Sequence, residues 1–159
     1  KHMTILDQYK LTRGLFIDSI SPIAKDLIDL QPPGFRNTIH WQIGHVLVIA
    51  EEIANFPHRS KSSLPANYKR LFGRDTKPND WPQNVPSMDQ LVLDLQDQVN
   101  RIGNMSSEQV QERLIEPFDG IDRFEEFASL GLFHEAMHLG QILAMQRILE
   151  QNHSGYQDL

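Results

Sequence analysis

The sequence predicts an all-α protein, an antiparallel four-helix bundle with one long Pro-rich connection between the second and third main helices. Three observations carry that prediction. Four segments place apolar residues at helical spacing, three of them behind a capping residue. No convincing strand alternation runs anywhere in the chain. The 159 residues are 40% hydrophobic and 23% charged, which suits one domain with a real core.

Taken in order, Ile5, Tyr9, Phe16 and Ile20 define a first amphipathic helix that stops or kinks at Pro22. Ile23 to Leu30 form a short second piece, and Gln31-Pro32-Pro33-Gly34 breaks the chain. Asn37 or Thr38 then caps a strongly apolar helix reaching about Asn55, with Ile39, Ile43, Val46, Leu47, Ile49, Ala50 and Ile53 on more than one side. That pattern predicts deep burial. The connection from His58 to Pro86 has prolines at 65, 78, 82 and 86, and a short helix is expected around Ala66–Phe72. It carries six Lys/Arg against two Asp, and a loop of this length is commonly a lid or a binding loop. The alternative is a solvated surface wrap.

Ser87-Met88-Asp89-Gln90 is a capping box, followed by Met88, Leu91, Val92, Leu95, Val99 and Ile102 in the clearest helical period of the chain. Ser106-Ser107-Glu108-Gln109 opens a short helix, and Pro117 to Gly120 is a turn. Asp122 with Glu125 reads as a weaker capping box for a last helix ending near Gln151. Facing apolar stripes on four such helices bury one another in a bundle.

The single domain is expected over residues 4–159, because Lys1-His2-Met3 resembles an expression-tag remnant; His2 is therefore set aside. A net charge of −6 argues against general nucleic-acid binding. The chain has no cysteine, hence no disulfide, thiolate ligand or cysteine nucleophile, which fits the reducing cytoplasm. No apolar run approaches membrane-spanning length and the N-terminus has no signal-peptide pattern, so no membrane partner is expected.

His134-Glu135-Ala136-Met137-His138 bears the chemistry. Histidines four apart on a helix point the same way, close enough to grip one divalent metal. The stretch also reads H-E-x-x-H, as in zinc proteases, where the Glu is the general base. The surroundings argue against such a protease. The Gly and third His that a metzincin requires would fall at Gln141 and Ala144, the residues after His138 continue the same helix, and no strand is expected to hold a peptide.

The inward stripe of the last helix is expected to be Phe127, Leu130, His134, His138, Gln141, Met145 and Ile148. Three polar residues thus interrupt it at consecutive turns, each costing about 1–3 kcal/mol if left without a partner. His45 lies amid apolar neighbours on the second helix, with Trp41, Val48, Ile49 and Glu52 on its face. His45, His134 and His138 together would make a three-histidine site between two helices, open to water or substrate. The alternatives are a hydrogen-bonded core His45, a solvated Glu135, and a Gln141 bonded to backbone. His40, His58 and His153 lack a helical partner and are assigned to the surface.

At these residues the chain resembles the DinB-like, or YfiT-like, family of small metal-binding bundle proteins. The resemblance runs through Asn37-Thr38-Ile39-His40-Trp41-Gln42-Ile43-Gly44-His45, then Leu71-Phe72-Gly73, Trp81-Pro82 and Val85-Pro86-Ser87, then His134-Glu135-Ala136-Met137-His138-Leu139-Gly140-Gln141-Ile142. It implies a four-helix bundle holding a divalent metal, zinc or nickel, on His45, His134 and His138. It also implies a homodimer. Characterised relatives include S-transferases and isomerases that use low-molecular-weight thiols, while many others carry only a metal-dependent hydrolase label. The reaction does not transfer with the fold.

The leading functional expectation is a metal-dependent S-transferase acting on a small-molecule substrate. A low-molecular-weight thiol cosubstrate would supply the sulfur that this cysteine-free chain lacks. Lys69, Arg70 and Arg74 are candidates to meet the carboxylates of that thiol. The second expectation is a hydrolase, with water activated by the metal and Glu135 or Glu52 taking the proton. The third is a metal-stabilised binding bundle without catalysis. Glu135 and Gln141 are the catalytic candidates, and on the transferase reading Glu135→Gln would leave the fold intact.

Overall fold

A computed structural model describes residues 1–154, with side chains through residue 152. Helix α1 spans Ile5–Ile20, α2 Ile39–Ala54, α3 Tyr68–Phe72, α4 Met88–Gly103, α5 Ser107–Gln111 and α6 Phe124–Ser154. Strands β1, Arg113–Phe118, and β2, Ile121–Arg123, form an antiparallel hairpin between α5 and α6. The protein is all-α apart from that hairpin.

Local chemistry sets each start. Thr4 and Asp7 exchange side chain-to-backbone bonds in a full capping box at α1. Thr38, rather than Asn37, caps α2 through the Trp41 amide. Ser87 accepts from the Gln90 amide at α4, while the Gln90 side chain turns to Asp94 instead of closing the box.

The four long helices stand at the corners of a square in which α1 packs on α4 and α6, and α2 packs on the same two. Contact pairs give the directions. Arg13 meets Leu95 and Gln98, and Lys25 meets Asp89, so α1 and α4 are antiparallel. Gln42 meets Gln141, and Ile53 lies against Gly131, so α2 and α6 are antiparallel too. Leu47 and Glu51 both meet Gln98, and Glu51 also meets Arg101, while His40 at the head of α2 meets Pro86 beside the head of α4; α2 and α4 therefore run parallel. Two neighbouring pairs are antiparallel and two parallel. Parallel neighbours need a crossover that returns the chain to the starting end, and residues 55–87 are that crossover.

Three local expectations differ from the structure. Ile23 to Leu30 fold as successive turns, not a helix, although Ile23, Leu27 and Ile28 are buried as an apolar plug. The hairpin replaces the expected helix cap at Asp122, whose carboxylate pairs across the strands with Arg113. Its tip, Asp119-Gly120, has positive φ at both residues (50° and 80°), the two-residue turn whose twist matches paired strands.

The buried face of α6 is also rotated from the expected stripe. Phe124, Phe127, Ala128, Glu135, His138, Ile142, Met145 and Leu149 are buried, whereas Leu130 is 42% exposed and Gln141 and Ile148 are half-buried. The core therefore centres on Glu135, and His134 lies at its edge.

Candidate metal centre

Neutral imidazoles offer one lone pair each, and the partner of the other nitrogen decides where it points. His45 Nδ1 lies 2.7 Å from the Phe72 carbonyl, which can only accept, so Nδ1 carries the proton and Nε2 the lone pair. His138 Nδ1 lies 2.6 Å from Gln42 Oε1. The other end of that amide donates to Asn37 Oδ1 and to Gln141 Oε1 at 3.0 and 2.7 Å, which orients its oxygen toward His138. His138 Nε2 is thus free to ligate, and it lies 3.1 Å from His134 Nε2. Two nitrogens bound tetrahedrally to one zinc would sit about 3.3 Å apart.

The ligand nitrogens of His45, His134 and His138 all lie within 4.8 Å of one another. They are the group among the described residues that could hold a metal ion, and their donor chemistry fits a divalent one. Burial lowers the pKa of all three, to about 4 for His134 and about 3 for His138; His45 further disfavours charge on His134, and both disfavour it on His138. Neutral rings with convergent lone pairs are the form a cation requires.

The supports are built into adjacent elements. The Trp41 ring stacks on His45 at 4.5 Å and 13°, and its Nε1 donates to Thr76 Oγ1. Phe72 sits flat against α2 because residue 44 is glycine: a Cβ there would lie 2.2 Å from the Phe72 ring. That close approach brings the Phe72 carbonyl to His45.

The remaining candidates are distributed differently. Glu135 is 4% exposed, and both its oxygens accept at 2.9 Å from Arg13, which is fully buried and also donates to Leu95 O and Gln98 Oε1. A role as base would require breaking that pair. Gln141 acts on the cluster through Gln42, two hydrogen bonds from His138. Lys69 and Arg74 line a cavity of about 610 Å³ that begins at Val48 and Ile49, one turn beyond His45; Arg70 is exposed and outside it. Glu52 lines the same cavity and pairs with Arg59 and Arg74.

His40, expected at the surface, is buried between Asp29 and the Pro86 carbonyl, where it ties the start of α2 to the end of the crossover. His58 is half-buried. The His153 side chain lies outside the described residues.

Residues 8–142 match the family model of the DinB superfamily. The chain belongs to that superfamily. No protein with a curated description matches it. In this DinB-superfamily chain, Gln42, Arg13 and Arg59 are the site-related residues that sequence reasoning missed. Arg13 left a signal, since it interrupts the apolar stripe of Tyr9, Phe16 and Ile20. Gln42 left none beyond a polar residue in an apolar helix.

Proposed function

We propose that this protein is a divalent-metal-dependent S-transferase that joins a low-molecular-weight thiol to a small electrophile, with His45, His134 and His138 holding zinc or nickel. The observation that carries the reading is a three-imidazole cluster, its His134 half-buried at the edge of the core, one helical turn from a cavity with a cationic wall. A bound ion there would lower the pKa of a thiol and stabilise the thiolate at neutral pH. Sulfur then bonds to the electrophilic carbon, the leaving group departs with its electron pair, and the thiol proton passes to solvent. Gln42 and the Phe72 carbonyl hold two imidazoles in the ligating tautomer. Lys69 and Arg74 attract the thiol's carboxylates.

Hydrolysis is the second reading, and carboxylate pairing disfavours it. Glu135 is locked by Arg13, and Glu52 is shared between two arginines, so neither is a free base. Purified metal-loaded protein given a thiol and an electrophile separates the two. A thiol-dependent adduct supports transfer; thiol-independent loss of an ester or amide replaces it with hydrolysis.

The same reading includes a homodimer in the cytoplasm. A row of exposed apolar side chains on α6, Leu130, Phe133 and Met137, supports self-association, and Phe133 is 66% exposed. No helix among the described residues is long and apolar enough to cross a membrane.

A further inference from the structure

The cavity beside the cluster has an uneven charge distribution. Arg59, Lys61, Lys69 and Arg74 line it together with Glu51 and Glu52. Glu51 is satisfied inside the protein: it accepts from Arg101, Gln98, Asn55 and the Ser63 amide. Glu52 is held differently. Arg59 approaches it at 3.5 Å and Arg74 at 3.4 Å, long ion pairs that place one carboxylate between two guanidiniums. The Arg59 guanidinium also lies 4.1 Å over the Phe118 ring, which fixes it from the hairpin side. The wall is therefore net positive in a protein of net charge −6. Val48, Ile49 and Leu64 supply an apolar surface.

Glu52 follows His45 by seven residues on α2, two turns along the same face, or about 10 Å.

We propose that Arg59 and Arg74, positioned by Glu52, form an oxyanion-binding clamp that selects substrates by length. The preferred molecule carries a terminal carboxylate or phosphate about 10 Å from the atom that reacts at the histidine cluster, with an apolar spacer along Val48 and Ile49. Each guanidinium has donors to share between Glu52 and an incoming oxyanion. The clamp rests on the three-histidine metal reading, and it is independent of whether the reacting group is a thiol.

The test uses zinc-loaded protein and a series of alkyl hydroxamates of increasing chain length, tailed with either a carboxylate or a neutral hydroxyl, read by isothermal titration. The carboxylate tail is expected to improve affinity about tenfold or more, with an optimum near a 10 Å spacing. Arg59→Gln/Arg74→Gln should remove that advantage and leave the hydroxyl-tailed probes unchanged. Arg74→Gln alone, at an exposed side chain, serves if the double variant fails to fold. A phosphate-tailed probe of the best length identifies the preferred oxyanion. Equal affinity for the two tails at every length, or an advantage that survives the substitutions, overturns the clamp. A carboxylate-tailed thiol of the same length, added to cobalt-loaded protein, separates the two readings. No thiolate-to-cobalt absorption alongside normal hydroxamate binding discards the thiol and keeps the clamp. No binding by either headgroup overturns the metal site and the clamp together.

Discussion

At the scale of single residues, the buried glutamate of the H-E-x-x-H stretch is held in an ion pair with Arg13. Glu135→Gln would leave the fully buried Arg13 without its counter-charge, so it is expected to destabilise the fold by about 3–5 kcal/mol, measured by denaturant unfolding. This reverses the expectation that the substitution would spare the fold. Gln42→Leu should have the complementary phenotype. It removes the acceptor that orients His138, and chelator competition should show metal affinity about 10–100-fold weaker. The three histidines also predict a pH dependence for the metal-free protein. Their pKa values lie below the ordinary 6.5, at about 4 for His134 and about 3 for His138, so the unfolded chain binds protons first on acidification. Full stability should hold above pH 6.5 and fall from there toward pH 3, as acid titration followed by circular dichroism would reveal. Replacing His134 and His138 with glutamines should flatten that slope.

At the scale of elements, the short helix α3 works as a clamp on α2. Its Phe72 ring covers Gly44 while its Phe72 carbonyl holds His45. Gly44→Ala would force the ring away, and the overpacking should cost about 1–3 kcal/mol. The same displacement should weaken metal binding, because the carbonyl moves with the ring. A thermal melt and a metal titration on one preparation check both effects; a variant with normal metal affinity and a lower melting temperature would mean that α3 can shift without carrying its carbonyl. The crossover is pinned elsewhere too. The Ser63 amide bonds to Glu51, and Trp81 Nε1 donates to the Leu71 carbonyl. Residues 58–86 thus have a pinned inner side, where Tyr68, Leu71 and Phe72 are buried, and a largely exposed outer side, with part of the segment lining the cavity.

At the scale of the whole molecule, the histidine cluster joins α2 to α6, two of the four long helices. Whatever binds the folded chain and not the unfolded one stabilises it by mass action, about 2.7 kcal/mol at a hundredfold excess over Kd. Zinc at neutral pH should therefore raise the melting temperature, and a chelator should return it to the metal-free value. An identical melt with and without chelator would count against the bridge. The exposed row on α6 gives a second whole-molecule expectation: Phe133→Asp should convert a dimer to monomer in analytical ultracentrifugation without changing metal content.

The sequence by itself determined the four long helices and the three histidines that could hold a metal. Apolar periods of 3.6 mark α1, α2, α4 and α6 because local spacing suffices to bury one face. His134 and His138 are four apart, so helical geometry alone brings them together. His45 was legible as a polar residue in an apolar helix, and the structure brings it to the pair. The hairpin was less legible because Pro117 and the short strands mask alternation, although Asp119-Gly120 between Phe118 and Ile121 is a hairpin signal. Only the tertiary structure decided the rest. Residues 122 positions apart in the chain, Arg13 and Glu135, close on each other, and that partner converts a motif glutamate into a core ion pair. Gln42 reaches His138 across 96 positions and fixes its tautomer. Pairings of that range come from how the helices pack, and no local period encodes which polar residues will face one another across the core.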